Sequence, residues 1–246
     1  MKGLIALVGA GEYLPVMNEV DRYLLGHSSA NGSVPRVVCL PTAAGREGDE
    51  SWQRWNRMGE EHFRGLNAEV HALPIIDRHS ADDERYVETI ENADLIYFSG
   101  GNPGYLFKTM QGSKAWAAAE KAWERGAVYA GCSAGAMILG RYLPDIRTAG
   151  LRSLTAFGAV SASLILPHFD KMPRWAPMML PMVRSRMKAG EFTLGIDEDT
   201  ALVGKPGQDW HVQGRLKVHV ITKKEMKSYS AGEKVTFPAW PQEPNA

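Results

Sequence analysis

VYAGCSAGAMILG, residues 128–140, decides how this chain is read. Its first part is apolar and β-prone; its second is small-residue and helix-compatible. Between them, Gly131-Cys132-Ser133-Ala134-Gly135 fits the pattern G-x-S-x-G. A sharp strand-to-helix turn of this kind strains the backbone of its middle residue and lifts that side chain above a sheet. The helix start that follows adds amides able to stabilise negative charge. The pattern centres on Ser133. A pattern centred on Cys132 needs glycines at 130 and 134, where Ala130 and Ala134 stand. Ser133 is therefore the candidate nucleophile and Cys132 a small packing residue. Alone, the five residues serve equally well as a close-packed corner without chemistry, since short motifs match by chance.

Outward from this corner, short apolar runs alternate with longer amphipathic or alanine-rich stretches. Residues 3–9, 68–75, 94–101 and 127–132 read as strands, 36–44 as a strand running into a loop, and 15–26, 49–66, 82–93 and 112–126 as helices. The helix at 82–93 opens on acidic residues, as its dipole prefers. Strand runs without polar alternation are buried on both faces. Strands alternating with helices predict a parallel sheet covered on both sides. The second half is less regular. Residues 174–190 read as a helix interrupted by Pro177 and Pro181. FTLGID, TALVGK, DWHVQG and RLKVHVIT, between 192 and 222, read as strands, several of them antiparallel at one edge. The Pro-rich stretch from about residue 237 reads as a loose tail. No internal repeat or linker divides the chain, so a single α/β domain over 1–246 is expected.

Lys and Arg total 28 and Asp and Glu 28, giving a net charge of +0. Without a basic stripe, no nucleic-acid partner is expected. The apolar run near the N-terminus, Leu4 to Val8, is far shorter than a bilayer span, and no membrane partner is expected. Cys39 and Cys132 are the only cysteines and make no disulfide framework, which suggests reduced thiols and a cytoplasmic location.

A second glycine cluster, Ser99-Gly100-Gly101-Asn102-Pro103-Gly104, sits one strand before the Ser133 corner. By itself it is strong turn chemistry. Beside an elbow, it falls at the carboxyl edge of a parallel sheet, where ligands bind. The Gly101 amide can then join that of Ala134 in an oxyanion hole. Gly9-Ala10-Gly11 begins a dinucleotide fingerprint, but Leu14 stands where the third glycine belongs. That loop is better read as pocket rim. No cofactor is expected, and no H-E-x-x-H or similar metal-ligand spacing occurs.

A serine nucleophile needs a histidine base and an acid to orient it. Of seven histidines, His27, His62 and His79 fall in expected exposed positions, and His71, His211 and His219 within strand patterns. His168 follows an apolar strand and opens a loop, where a catalytic side chain is presented. For the acid, residues 194–204 carry Asp197, Glu198 and Asp199 at a strand end, and spacing does not choose among them. A hydrolase-like order of serine, acid, histidine instead suggests Asp170 or Asp197 with His211 or His219.

YFSGGNPGYLF, GCSAGAMIL, LPHF and GIDEDTALV occur here in an order that resembles peptidase family S51, which includes dipeptidase E and cyanophycinase. The resemblance runs from the first strand to about residue 204. It implies a three-layer α/β/α, flavodoxin-like fold like that of class I glutamine amidotransferases, with a mostly parallel central sheet and antiparallel edge strands. It implies a Ser133–His168–Glu198 triad, oxyanion amides from Gly101 and Ala134, and Asn102 beside the scissile group. Cyanophycinases carry a Gln before the histidine and several arginines after it. Here Leu166-Pro167 precede His168, Met172 and Pro177 stand where arginines are expected, and Arg174 alone matches. Arg174 is the candidate partner for a substrate carboxylate such as an aspartyl side chain. The expected function is serine-type hydrolysis of a small peptide or isopeptide, with that peptide as the partner and a homodimer left open. The rivals are an amidase or amidotransferase-like enzyme, with Cys132 as one nucleophile, and a non-catalytic binding protein on the same scaffold.

Overall fold

The computed structural model describes residues 2–145, 150–171 and 179–238. The five apolar runs of the first half form β1 (Ile5–Val8), β2 (Arg36–Leu40), β3 (Glu69–Ala72), β4 (Leu95–Phe98) and β5 (Val128–Cys132). They pair in parallel in the order β1-β5-β4-β2-β3. A hairpin, β6 (Tyr142–Asp145) and β7 (Gly150–Thr155), follows, then the short β8 (Ile165–Leu166). Beyond it come β9 (Phe192–Ile196), β10 (Thr200–Gly204), β11 (Trp210–Gly214), β12 (Lys217–Thr222), β13 (Met226–Ser230) and β14 (Lys234–Val235). β10, β11 and β14 extend the main sheet antiparallel on the β1 side, giving eight strands in the order β14-β11-β10-β1-β5-β4-β2-β3. β13-β12-β9-β8 make a separate four-stranded sheet. The sequence places antiparallel strands at one edge; the structure divides them between the two sheets.

Alternate residues of the central strands feed two separate cores. Ile5, Leu7, Ile96, Phe98 and Tyr129 lie in one, with residues of α5 (Pro103–Met110), α6 (Lys114–Arg125) and α7 (Ala134–Met137). Ala6, Val8, Leu95, Tyr97, Val128 and Ala130 lie in the other, with residues of α1 (Asn18–Gly26) and α2 (Asp49–Gly65). A sheet buried on both faces cannot alternate apolar with polar, and this is why its strands read as continuous apolar runs. The result is the mixed α/β, three-layer architecture. Short helices α3 (Arg78–Ala81) and α4 (Val87–Glu91) join β3 to β4, and α8 (Met179–Arg186) precedes β9. The expected 82–93 helix is a 3₁₀ turn at Glu84–Tyr86 leading into α4.

Capping fixes where the helices beside the candidate site begin. The Ser113 hydroxyl accepts the Trp116 N–H at 3.0 Å at the start of α6, and that helix ends at Gly126 with φ 122. Asn102 Oδ1 accepts the Tyr105 N–H at 2.9 Å, and Pro103 occupies the first turn of α5. The Gly-Asn-Pro-Gly run, read from sequence as a turn, is thus a loop and a helix start together. No helix among the described residues is long and apolar enough to cross a membrane.

Candidate active site

β5 ends at Cys132 and α7 begins at Ala134, with Ser133 alone between them. Ser133 has φ 48 and ψ −105, a region that costs a non-glycine residue conformational energy. Its N–H is held by Val8 O on the neighbouring strand at 2.9 Å. Both glycines of the motif have steric reasons. A Cβ at Gly131 would sit 2.4 Å from the Gly135 backbone, and one at Gly135 would sit 2.6 Å from Phe98 O. Only without those side chains can α7 fold back this tightly onto its own strand β5 and lie against the end of the neighbouring β4.

Ala134 is the first residue of α7, so its amide has no carbonyl one turn earlier within that helix. On the adjacent β4 loop, Glu12 Oε1 accepts the Gly100 N–H at 2.9 Å, and Ala43 O accepts the Asn102 N–H at 2.9 Å. Gly101 lies between these anchored amides with φ 140, and a Cβ there would collide with Ala43 at 2.6 Å. Glycine is required on both counts.

His168 follows β8, has φ 51, and precedes a 3₁₀ turn at Phe169–Lys171. Phe169 fills the space over Gly195, where a Cβ would come within 2.6 Å of the ring, and so packs the histidine loop against β9. Glu198 sits in the turn joining β9 to β10. His168 Nε2 lies 3.2 Å from Ser133 Oγ, and its Nδ1 lies 2.8 Å from Glu198 Oε1. Residues 35 and 30 positions apart thus form one hydrogen-bonded line across three loops.

The neighbouring acids are engaged elsewhere. Asp170 Oδ1 accepts the Glu198 N–H at 2.8 Å. Asp197 pairs with His219 at 3.1 Å, and Asp199 with Arg215 at 2.6 Å. His211 lies in β11, opposite Val203. His62, expected on an exposed helix position, is instead buried against Asp21 at 2.8 Å, because that face of α2 packs against α1. Burial raises the Asp21 carboxyl above its usual range, and the His62 contact opposes the shift.

Cys132 is fully buried, and its thiol donates to Glu12 Oε2 at 2.9 Å. Burial and then the Glu12 charge hold that thiol well above the usual cysteine range. Nucleophilic cysteines need the opposite shift. Glu12, only 7% exposed, is the residue that sequence reasoning passed over. The available signal was an acid placed directly after the glycines of an apolar strand.

The glycines before Glu12 also have a local explanation. A Cβ at Gly9 would fall 2.0 Å from Asp197 O, and Gly11, at φ 90, packs against Asp199. They let the 197–199 turn cross the end of β1, and no phosphate cradle is needed to account for them. Among the described residues, no group of three or more His, Cys, Asp and Glu side chains is arranged to hold a metal ion. Arg174, with Met172 and Pro177, lies outside the described residues, as does most of the tail read from residue 237.

A family model described as Peptidase family S51 matches residues 5–208. Peptidase YgaJ of Bacillus subtilis strain 168, itself described as uncharacterized, is 30% identical over 174 residues, covering 69% of this chain and 70% of that protein. A cyanophycinase of Synechococcus elongatus is 25% identical over 234 residues, covering 92% of this chain and 70% of the other. Among solved structures, a peptidase from an acI-B1 Actinobacterium matches with a TM-score of 0.85 and 36% identity, over 96% of this chain and 98% of that one. A putative peptidase E protein from Listeria monocytogenes EGD-e shares the fold at a TM-score of 0.61 and 18% identity, over 87% of this chain and 99% of that one. The continuous match from β1 to beyond β10 carries the assignment: the chain belongs to peptidase family S51.

Proposed function

We propose that the chain is a serine-type peptidase that hydrolyses a small peptide or isopeptide through an acyl-enzyme, without a cofactor. The observation that carries this reading is His168, bonded on one side to Ser133 Oγ and on the other to Glu198. His168 Nε2 takes the Ser133 proton as Oγ bonds to the scissile carbonyl carbon. The carbonyl electron pair moves onto oxygen, facing the Gly101 and Ala134 amides. His168 then protonates the leaving amine as the C–N bond breaks. Water attacks the resulting ester, His168 accepts one of its protons, and the proton returns to Ser133 as the acid product departs. Glu198 accepts the Nδ1–H, which fixes the tautomer and favours the imidazolium.

Asn102 is the proposed substrate contact beside Gly101. Its Oδ1 is engaged with the start of α5, so its amide nitrogen is the group free to donate to a substrate carbonyl. Arg174 remains the proposed partner for a substrate carboxylate. The relatives named cyanophycinase and peptidase E support small peptides and isopeptides as the class to examine. Leu166-Pro167, where cyanophycinases carry Gln before the histidine, speaks for a substrate other than cyanophycin.

A panel of Asp-X dipeptides, β-Asp-X isopeptides and unrelated dipeptides tests the proposal by release of free amino acids. Wild-type protein is expected to cleave at least one class, and Ser133→Ala and His168→Ala to cleave none. Cleavage by Ser133→Ala at the wild-type rate contradicts the reading.

A further inference from the structure

We propose that Glu12 is a positioning residue that holds the Gly100–Gly101 peptide in the orientation an oxyanion hole requires. The inference rests on the serine-peptidase reading above. Glu12 lies past the end of β1, and β5 separates β1 from β4 in the sheet. One of its oxygens accepts the Gly100 N–H at 2.9 Å, and the other accepts the Cys132 S–H at 2.9 Å. Each contact is one residue from a proposed working group, Gly101 on one side and Ser133 on the other. A carboxyl buried this deeply is tolerated only when both oxygens are bonded. A Cβ at Gly100 would lie 2.9 Å from Glu12 Oε1 and 3.4 Å from Ser133 Cβ, so carboxyl, loop and elbow are in mutual contact.

The peptide unit joining Gly100 to Gly101 carries the proposed oxyanion N–H at one end and the Gly100 carbonyl at the other. Between two glycines this unit can rotate with little steric resistance. Rotation would turn the carbonyl, an acceptor, toward a developing anion. Both flanking peptide units are pinned: the one before through the Gly100 N–H to Glu12, the one after through the Asn102 N–H to Ala43 O. Glu12 therefore supplies one of the two anchors that fix the middle unit. The second contact, to Cys132, ties the same side chain to the last residue of β5, next to Ser133. Cys132 accordingly has a role without chemistry of its own, as the protonated donor that orients the Glu12 carboxyl.

The test measures fluorophosphonate inactivation, resolved into KI and kinact, with amide hydrogen exchange of residues 99–102, on wild type, E12A, E12D and E12Q. Losing one oxyanion donor costs about 10²–10³ in rate. E12A is expected to lower kinact by about 10²-fold with KI within about two-fold, because the probe still docks but its developing negative charge is not met. E12Q, which retains an oxygen for the Gly100 N–H, is expected within about three-fold of wild type. E12D, drawn back by one methylene, is expected to lose at least about ten-fold and stands in should E12A not fold. Exchange at Gly100–Asn102 is expected to speed up in E12A and to stay at the wild-type rate in E12Q. Wild-type kinact in E12A or E12D, or E12Q as slow as E12A, overturns the proposal. A wild-type protein that the probe never labels defeats the serine reading instead. In that event, faster exchange confined to E12A and E12D still supports the anchoring role, and equal exchange in all variants overturns it.

Discussion

The Asp170 carboxyl accepts the backbone N–H of Glu198 at 2.8 Å, tying the loop that carries His168 to the turn that carries Glu198. Asp170 is two residues from the histidine, so this bond fixes the spacing of the proposed base and its orienting acid without touching either reactive group. Asp170→Asn keeps an acceptor oxygen and is expected to retain most of the wild-type activity. Asp170→Ala is expected to lose activity on the order of ten-fold, since small misplacements of catalytic groups are costly. Peptide hydrolysis by the two variants checks this; equal rates for Asp170→Ala and wild type would contradict it.

Glu198→Gln should retain the fold and lose roughly 10²–10⁴ in rate, because an amide can hold His168 in the wrong tautomer and cannot stabilise the imidazolium. Asp197→Asn, whose parent carboxyl pairs with His219, should leave the chemistry nearly untouched and act on stability. Comparing the hydrolysis rates of the two separates the proposed orienting acid from its neighbour.

The two cysteines should be silent in the folded protein. Burial pushes the Cys39 thiol up to about 12, and burial together with the Glu12 charge holds the Cys132 thiol well above the usual cysteine range. Only thiolates react readily with disulfide reagents. Titration with an aromatic disulfide at pH 8 is expected to find no reactive thiol in native protein and both after denaturation. Rapid reaction of Cys132 in the native state would restore it as a rival nucleophile.

The glycines differ sharply in what they tolerate. Gly131→Ala forces a Cβ into the Gly135 backbone and is expected to destabilise by about 3 kcal/mol, the upper end for overpacking. Gly104→Ala, in α5, meets nothing closer than Asn102 Oδ1 at 3.6 Å. It should be neutral or stabilise by up to about 1 kcal/mol through helix propensity. Chemical denaturation of the two variants reads the contrast.

What could be read from the sequence divides along physical lines. The parallel layer was legible because strands buried on both faces leave uninterrupted apolar runs. The Ser133 corner was legible because steric demands at Gly131 and Gly135 are local. α5 was missed because Asn102-Pro103 serves turn and helix start alike. The second sheet was not separated from the first because single-strand patterns do not encode partners. Nor could spacing choose Glu198 over Asp197 and Asp199. That choice depends on a turn in which Asp199 takes φ 54, and on Asp170 reaching across from another loop. The contacts of Glu12 are not legible in the sequence because its two partners lie 88 and 120 residues away.

The central claim is that Ser133 is the nucleophile and His168 activates it. Peptide mapping of protein treated with a fluorophosphonate probe tests this most directly. The account predicts a single adduct on Ser133, present in wild type and absent from His168→Ala. An adduct on another residue, or one on Ser133 that forms equally fast without His168, would contradict it.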